Sequence, residues 1–208
     1  MAALRITLYS DYKSPYAYIA KAGAYQLERD FDVELDWLPY TLDIPSYLGS
    51  VEGRDAHQWR RVRYSYMDAR RFANLQGLTL YGTKKIFDTR LAGIGMLFAK
   101  AQGVFRPYND MTFDRFWKRE LEIEAFEVVQ GVLDAAGADT GGFRAWAEGE
   151  GGALHDRLRA EAEAAGVFGV PMFVIDGELF WGGDRLPLIR DRLAERGFAR
   201  RGPVGGPA

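Results

Sequence analysis

The chain has 208 residues, of which 48% are hydrophobic, and its formal net charge is -2 at pH 7. This length and apolar content suffice for one large domain, or for a domain with a substantial insertion, and they exclude a disordered or fibrous chain. The nearly neutral charge gives no general electrostatic reason to bind nucleic acid or an anionic membrane, so we expect a small-molecule ligand.

The first predicted strand runs from Leu4 to Tyr9 and precedes a helix from Pro15 to about Arg29. No apolar secretory segment comes before this strand, and no run approaches membrane-spanning length, so we expect a cytoplasmic protein. Ser14 followed by Pro15 is typical of a helix N-terminus, because the hydroxyl caps orphan amides and proline has no amide to lose. The helix dipole could also stabilise an anion there, so Ser14 is either a plain cap or part of a site.

The next strand, Val33 to Tyr40, alternates apolar and acidic residues, and core packing is the favoured interpretation of Trp37. An irregular stretch then leads to a predicted amphipathic helix, His57 to Asn74. The polar faces of that helix carry five arginines: Arg60, Arg61, Arg63, Arg70 and Arg71. They form either an anion site or, as is more usual, a solvated or subunit-facing surface.

Five further helices are predicted downstream, and glycine clusters separate them. They cover Arg90 to Gln102, Asp110 to Arg119, Ile123 to Ala136, Phe143 to Glu148 and Ala153 to Ala165. Asp88 and Thr89 are expected to cap the first of them. The two histidines, His57 and His155, lack the spacing of a metal motif, so no metal site is predicted.

Near the end of the chain the pattern changes from helices to two short strands. Met172 to Ile175 and Glu178 to Trp181 flank Asp176-Gly177, a two-residue turn typical of a hairpin. Val170-Pro171 stands at the strand entry, and a final helix follows from about Asp184. With the opening strand and helix, this order predicts a thioredoxin fold.

Two stretches resemble one known family: Asp11-Tyr-Lys-Ser-Pro-Tyr-Ala-Tyr18 and the run from Gly166 to Leu186. They are similar to the kappa-class glutathione transferases and their bacterial relatives, the 2-hydroxychromene-2-carboxylate isomerases. The resemblance implies an α/β, thioredoxin-like fold with a large all-helical insertion of the DsbA or kappa type. The discontinuous thioredoxin-like domain would comprise residues 1–45 and 167–200, the helical insertion 46–166, and a mobile tail 201–208.

The resemblance also implies roles for individual residues. Ser14 would face the sulfur of glutathione and be the catalytic residue. The backbone at Val170 and Pro171, joined by a cis peptide, would pair with the cysteinyl part, and Gly183 and Asp184 would hold the γ-glutamyl end. The chain departs from the family at Gly183, where a polar side chain is common, and in the segment Asp43 to Gly53.

The absence of cysteine excludes dithiol exchange by this chain's own side chains, so any thiol must come with a ligand. The resemblance implies that this ligand is glutathione and that the protein is an isomerase or a transferase for an aromatic or unsaturated small molecule. Tyr16, Tyr40 and Trp59 are candidates for substrate-contacting walls, with core packing as the alternative. A homodimer is possible. The competing hypothesis is a non-catalytic binding protein that has lost glutathione chemistry.

Overall fold

The computed structural model describes residues 3–200, and its strands form one mixed sheet. The four strands are β1 (Leu4–Ser10), β2 (Val33–Pro39), β3 (Met172–Ile175) and β4 (Glu178–Trp181). Their order across the sheet is β2-β1-β3-β4. β1 and β2 are parallel, whereas β3 is antiparallel to both β1 and β4. The predicted thioredoxin-type order is confirmed.

The described residues also form nine α-helices, most of which lie between β2 and β3 in sequence. They are α1 (Pro15–Asp30), α2 (Ile44–Leu48), α3 (Ala56–Leu75), α4 (Arg90–Ala101), α5 (Phe105–Trp117), α6 (Phe126–Ala136), α7 (Phe143–Glu148), α8 (Glu150–Ala164) and α9 (Leu186–Glu195). The expected all-helical insertion is therefore present, although the domain boundaries at 45/46 and 166/167 stay a prediction. The predicted mobile tail, 201–208, lies outside the described residues.

Among residues 3–200, no helix is both long enough and apolar enough to cross a membrane.

Aromatic side chains join the sheet to its helices. Trp37 on β2 is 3% exposed and packs against Tyr25 of α1, which confirms its predicted place in the core. Tyr18 of α1 stacks on Phe113 and Trp117 of α5, with ring centroids 5.6 and 6.2 Å apart. Stacked rings of this kind stabilise a fold beyond the area they bury. They fix α1, and hence its N-terminus, against the helical part of the chain.

The predicted starts of three helices are wrong, and one short helix was not predicted. α6 begins at Phe126 rather than Ile123, because residues 123–124 form a turn and Ala125 is extended. α5 begins at Phe105 rather than Asp110. The helix can include Pro107 because this residue lies in the first turn, where backbone amides need no helical partner. α8 begins at Glu150 rather than Ala153, so two glycines that were interpreted as loop residues are helical. The stretch after β2 contains the short helix α2 instead of being wholly irregular.

Candidate functional site

Ser14 contacts two segments that lie far apart in the sequence. It is the N-cap of α1, where its Oγ accepts a hydrogen bond from the Ala17 amide at 3.2 Å. The same hydroxyl donates to the carbonyl oxygen of Val170 at 3.4 Å. Ser14 is only 4% exposed. The structure therefore brings the serine and the Val170-Pro171 pair together at the N-terminus of a 16-residue helix.

The Val170-Pro171 peptide bond is cis, as predicted. The Pro171 carbonyl accepts a hydrogen bond from the Gly182 amide at 2.9 Å, which ties the entry of β3 to the end of β4. Gly182 has a φ of +103°, a conformation that side chains rarely adopt. The backbone of this loop is thus held from two sides, by Ser14 and by Gly182.

Gly183 and Asp184 lie in a short 3-10 turn, Gly183–Arg185, ahead of α9. A Cβ on Gly183 would lie 2.9 Å from the Cβ of Ala20 in α1. The turn therefore packs so closely on α1 that a larger residue at position 183 would require the two segments to move apart.

Asp184 does not cap a helix, because no side-chain capping bond is present in the turn or in α9. Its side chain is 70% exposed and forms an ion pair with the neighbouring Arg185 at 2.8 Å. An exposed pair of this kind contributes little to stability. The carboxylate therefore stands at the surface beside the loop that Ser14 contacts.

The residue that sequence reasoning missed is Asp11, at the end of β1. Its buried carboxylate accepts hydrogen bonds from the Lys13 amide at 3.1 Å, the Leu42 amide at 2.8 Å and the Thr89 hydroxyl at 2.5 Å. The backbone carbonyl of Asp11 accepts from the Ser14 amide at 3.0 Å. Asp11 thereby fastens the Ser14 turn to the exit of β2 and the start of α4. Its position three residues before the serine was the available signal.

The Lys13 side chain completes this buried group. Lys13 is 9% exposed; its Nζ lies 3.6 Å from Asp11 Oδ2 and donates to the Phe87 carbonyl at 3.2 Å. The Thr89 hydroxyl donates to Asp11 and makes no capping bond. The prediction that the Thr89 side chain caps α4 is therefore wrong. Asp88 instead accepts from the Arg90 amide at 2.9 Å.

The three aromatic residues proposed as substrate walls contact three different segments. The Tyr16 hydroxyl donates to Asp68 of α3 at 3.2 Å, and its burial and that carboxylate raise the pKa of Tyr16 to about 12. Tyr40 is 7% exposed and donates to the Val167 carbonyl at 3.4 Å, and burial raises its pKa. Trp59 lies on α3 beneath Arg54, whose guanidinium carbon is 5.0 Å from the ring centroid. Each ring is thus held by a different part of the chain, and their role as substrate walls stays a prediction.

Two other aromatic side chains flank the cis peptide and are exposed. Phe168 and Trp181 are 60% and 54% exposed and meet edge to face, with ring centroids 4.9 Å apart. Trp181 packs over Gly169, where an added Cβ would lie 2.9 Å from the indole nitrogen. Both residues fall in the run Gly166 to Leu186, but strand periodicity alone gave them no role in a site.

The histidines do not form a metal site within the described part of the chain. No group of three His, Cys, Asp or Glu side chains there is placed to hold a metal ion. His155 is buried, its Nε2 lies 2.9 Å from the Thr41 hydroxyl, and its Nδ1 lies 3.1 Å from Asp156. Burial lowers the pKa of His155, whereas Arg90 lowers the pKa of Asp156 to about 2.

Comparison with known proteins places this geometry in context. The family model for the DSBA-like thioredoxin domain matches residues 5–194. The 2-hydroxychromene-2-carboxylate isomerase of Pseudomonas putida is 23% identical over 192 residues, covering 90% of this chain and 93% of that protein. The isomerase of the same name from Sphingobium xenophagum is 23% identical over 198 residues, covering 91% of this chain and 98% of that protein.

Two solved structures share the fold. The structure of a selenomethionine-substituted 2-hydroxychromene-2-carboxylate isomerase superposes with a TM-score of 0.78 at 22% identity, covering 93% of this chain and 96% of that one. The structure of a probable DsbA oxidoreductase from Streptomyces coelicolor superposes with a TM-score of 0.75 at 21% identity, covering 99% and 100%. At these identities the two structures establish the fold alone.

Proposed function

Because the chain belongs to the DSBA-like thioredoxin domain family, we propose that it is a glutathione-dependent isomerase or transferase. Its substrate is an aromatic or unsaturated small molecule. The first compound to test is 2-hydroxychromene-2-carboxylate, because two isomerases named after that compound are similar to this chain. The observation that carries the proposal is the contact between Ser14 and Val170. It unites a hydroxyl, a helix N-terminus and a backbone edge in a chain without cysteine.

The residues at this junction fit the chemical groups of glutathione. A thiolate is stabilised by a hydrogen-bond donor. The Ser14 hydroxyl is such a donor, and its present acceptor, the Val170 carbonyl, lies at the long end of the hydrogen-bond range. The main chain at the cis Val170-Pro171 bond stands at a strand entry, which suits pairing with an extended peptide. Asp184 presents a 70% exposed carboxylate that can receive an ammonium group.

Ser14 would favour the charged form of the thiol. When bound, glutathione supplies the thiol that can add reversibly to an unsaturated α-keto acid. A free thiol has a pKa of about 8.5, so it is mostly protonated at neutral pH unless donors and a positive dipole favour the thiolate. The Ser14 hydroxyl and the N-terminus of α1 are such groups, and Ser14 acts as a donor rather than a nucleophile.

The exposed faces of Phe168 and Trp181 are suited to contact with a flat substrate. Both rings flank the Val170-Pro171 backbone and remain more than half exposed. Aromatic ligands gain from offset or edge-to-face contact with such rings. We therefore assign the substrate-binding face to Phe168 and Trp181, ahead of Tyr16, Tyr40 and Trp59.

A non-catalytic binding protein is the second candidate. The Ser14 hydroxyl already accepts from Ala17 and donates to Val170, which is what a purely structural cap would do. Such a protein would keep the fold and a pocket without turnover.

The deciding experiment measures conversion of 2-hydroxychromene-2-carboxylate with and without glutathione, together with binding of glutathione by calorimetry. Turnover that requires glutathione supports the isomerase. Glutathione binding with no turnover of this compound or of a panel of electrophiles supports the second candidate. Absence of both glutathione binding and turnover contradicts the proposed function.

A further inference from the structure

Two arginines from different parts of the chain converge on one glycine. Arg70 lies in α3, and Arg119 follows the end of α5. A Cβ placed on Gly82 would lie 3.3 Å from Arg70 Nη2 and 4.0 Å from Arg119 Nη2. Both guanidinium groups therefore pack over the same face of Gly82, where the absence of a side chain lets them come close to the backbone.

The backbone of the loop orients both guanidinium groups. Arg70 donates from Nε to the Leu80 carbonyl at 3.2 Å, and Arg119 donates from Nε to the Gly82 carbonyl at 2.7 Å. Within residues 3–200, neither arginine forms an ion pair with a carboxylate, whereas their neighbour Arg71 pairs with Asp68 at 3.7 Å. Two like charges held side by side without a counter-charge create a local positive potential.

The backbone of Arg119 is unusual for a residue with a side chain. Its φ is +61°, and its amide donates to Phe116 while the next amide, of Glu120, donates to Arg115. This pair of bonds is the common way to end a helix, and glycine normally occupies the left-handed position. The Cβ of an arginine disfavours this conformation, and the side chain offsets part of that cost through its bond to the Gly82 carbonyl and through its position 5.8 Å from the Tyr81 ring centroid.

We propose that Arg70 and Arg119, side by side over Gly82, form a binding site for a small oxyanion, the carboxylate or phosphate group of a ligand. Planar guanidinium groups match the geometry of both oxyanions, and two of them can share one anion. The site uses none of the residues assigned to glutathione or its substrate. It therefore stands or falls independently of the proposed function.

The test titrates inorganic phosphate and, separately, benzoate into the full chain at constant ionic strength, with chloride as the balancing ion. Binding is followed by calorimetry and by the thermal midpoint. Phosphate stabilises many proteins without binding them, so differences between variants are the readout. Arg70→Gln removes one charge, and Arg63→Gln on the same helix is the matched control. Gly82→Ala keeps both charges but places a Cβ 3.3 Å from Arg70 Nη2, which shifts that guanidinium group.

We expect wild type and Arg63→Gln to bind at least one of the two anions, with apparent affinity at least tenfold weaker in Arg70→Gln and reduced in Gly82→Ala. The anion that binds more tightly identifies the group. Arg119→Gly should raise the thermal midpoint of the free protein, because glycine suits the left-handed position, and yet abolish the anion effect. No binding of either anion to wild type, or equal binding in wild type, Gly82→Ala and Arg119→Gly, would overturn the proposal.

Discussion

The Ser14 hydroxyl lies 3.4 Å from the carbonyl oxygen of Val170, a residue 156 positions further along the chain. One side chain thus caps α1 and contacts the loop with the cis peptide. Its hydrogen-bond donor can pass from the carbonyl to a ligand only if that 3.4 Å contact is given up. The capping bond from Ala17 uses the oxygen as an acceptor and can persist.

Replacing Ser14 by alanine should separate catalysis from capping. We expect Ser14→Ala to lose turnover at neutral pH and regain part of it at higher pH, because removing a donor to the thiolate raises the pKa of the bound thiol. The loss of the cap should lower the free energy of unfolding by about 1 kcal/mol. Asp55→Ala, which removes the side-chain cap of α3, is the control and should leave the pH profile unchanged. Unaltered activity of Ser14→Ala across the pH range would leave only the structural role.

Asp184→Asn should weaken glutathione binding without weakening the fold. The exposed pair with Arg185 contributes little to stability, so we expect the free energy of unfolding to change by less than about 1 kcal/mol. Loss of the charge that receives the ammonium group should lower the affinity measured by calorimetry. Asp176→Asn, which removes a similar exposed pair with Arg196, should bind glutathione as wild type does. Equal affinity in the two variants would contradict the assignment.

The exposed aromatic pair should affect KM rather than kcat. Replacing Phe168 or Trp181 by leucine should raise KM for an aromatic substrate by roughly two- to tenfold, the range expected for loss of one aromatic contact of about 0.5 to 1.5 kcal/mol. Steady-state kinetics with saturating glutathione would measure this. Tyr64→Leu removes an equally exposed ring on α3 and should have no effect. An unchanged KM in both Phe168→Leu and Trp181→Leu would place the substrate elsewhere.

His155 should make the fold less stable in mild acid. Burial lowers its pKa below the usual value of 6.5, so the unfolded chain binds a proton before the folded chain does. The free energy of unfolding should therefore be constant above pH 6.5 with respect to this group and should fall as the pH drops towards the folded-state pKa. Chemical denaturation of wild type and His155→Gln over this range would measure the effect. The free energy of unfolding of His155→Gln should depend less steeply on pH than that of wild type. Identical slopes for the two proteins would contradict the prediction.

Features that depend on neighbouring residues could be predicted from sequence. The Asp176-Gly177 turn has φ values of +50° and +84°, which these two residue types tolerate, so the hairpin was predictable from a dipeptide. Ser14 and Pro15 likewise predicted the start of α1 correctly. Both cases rest on backbone chemistry that operates within a few residues.

Features that depend on distant partners could not be predicted in this way. Gly152 was interpreted as a helix break, but it lies inside α8, where a Cβ would come within 2.7 Å of the Ala147 carbonyl oxygen. Asp11 binds groups 31 and 78 positions away, and its place three residues before Ser14 indicated neither of these partners. Close approach and buried hydrogen bonding are properties of the assembled fold.

The position of β1 between β2 and β3 has a consequence for synthesis of the chain. β2 can pair with β1 once the first 39 residues are available, but the other edge of β1 pairs with Met172, Phe173 and Val174. At roughly 5 to 20 residues per second, a ribosome needs on the order of ten seconds to make the intervening stretch. Throughout that interval one edge of β1 can pair with other chains. The nascent chain therefore passes through an aggregation-prone period that ends when the last hairpin emerges.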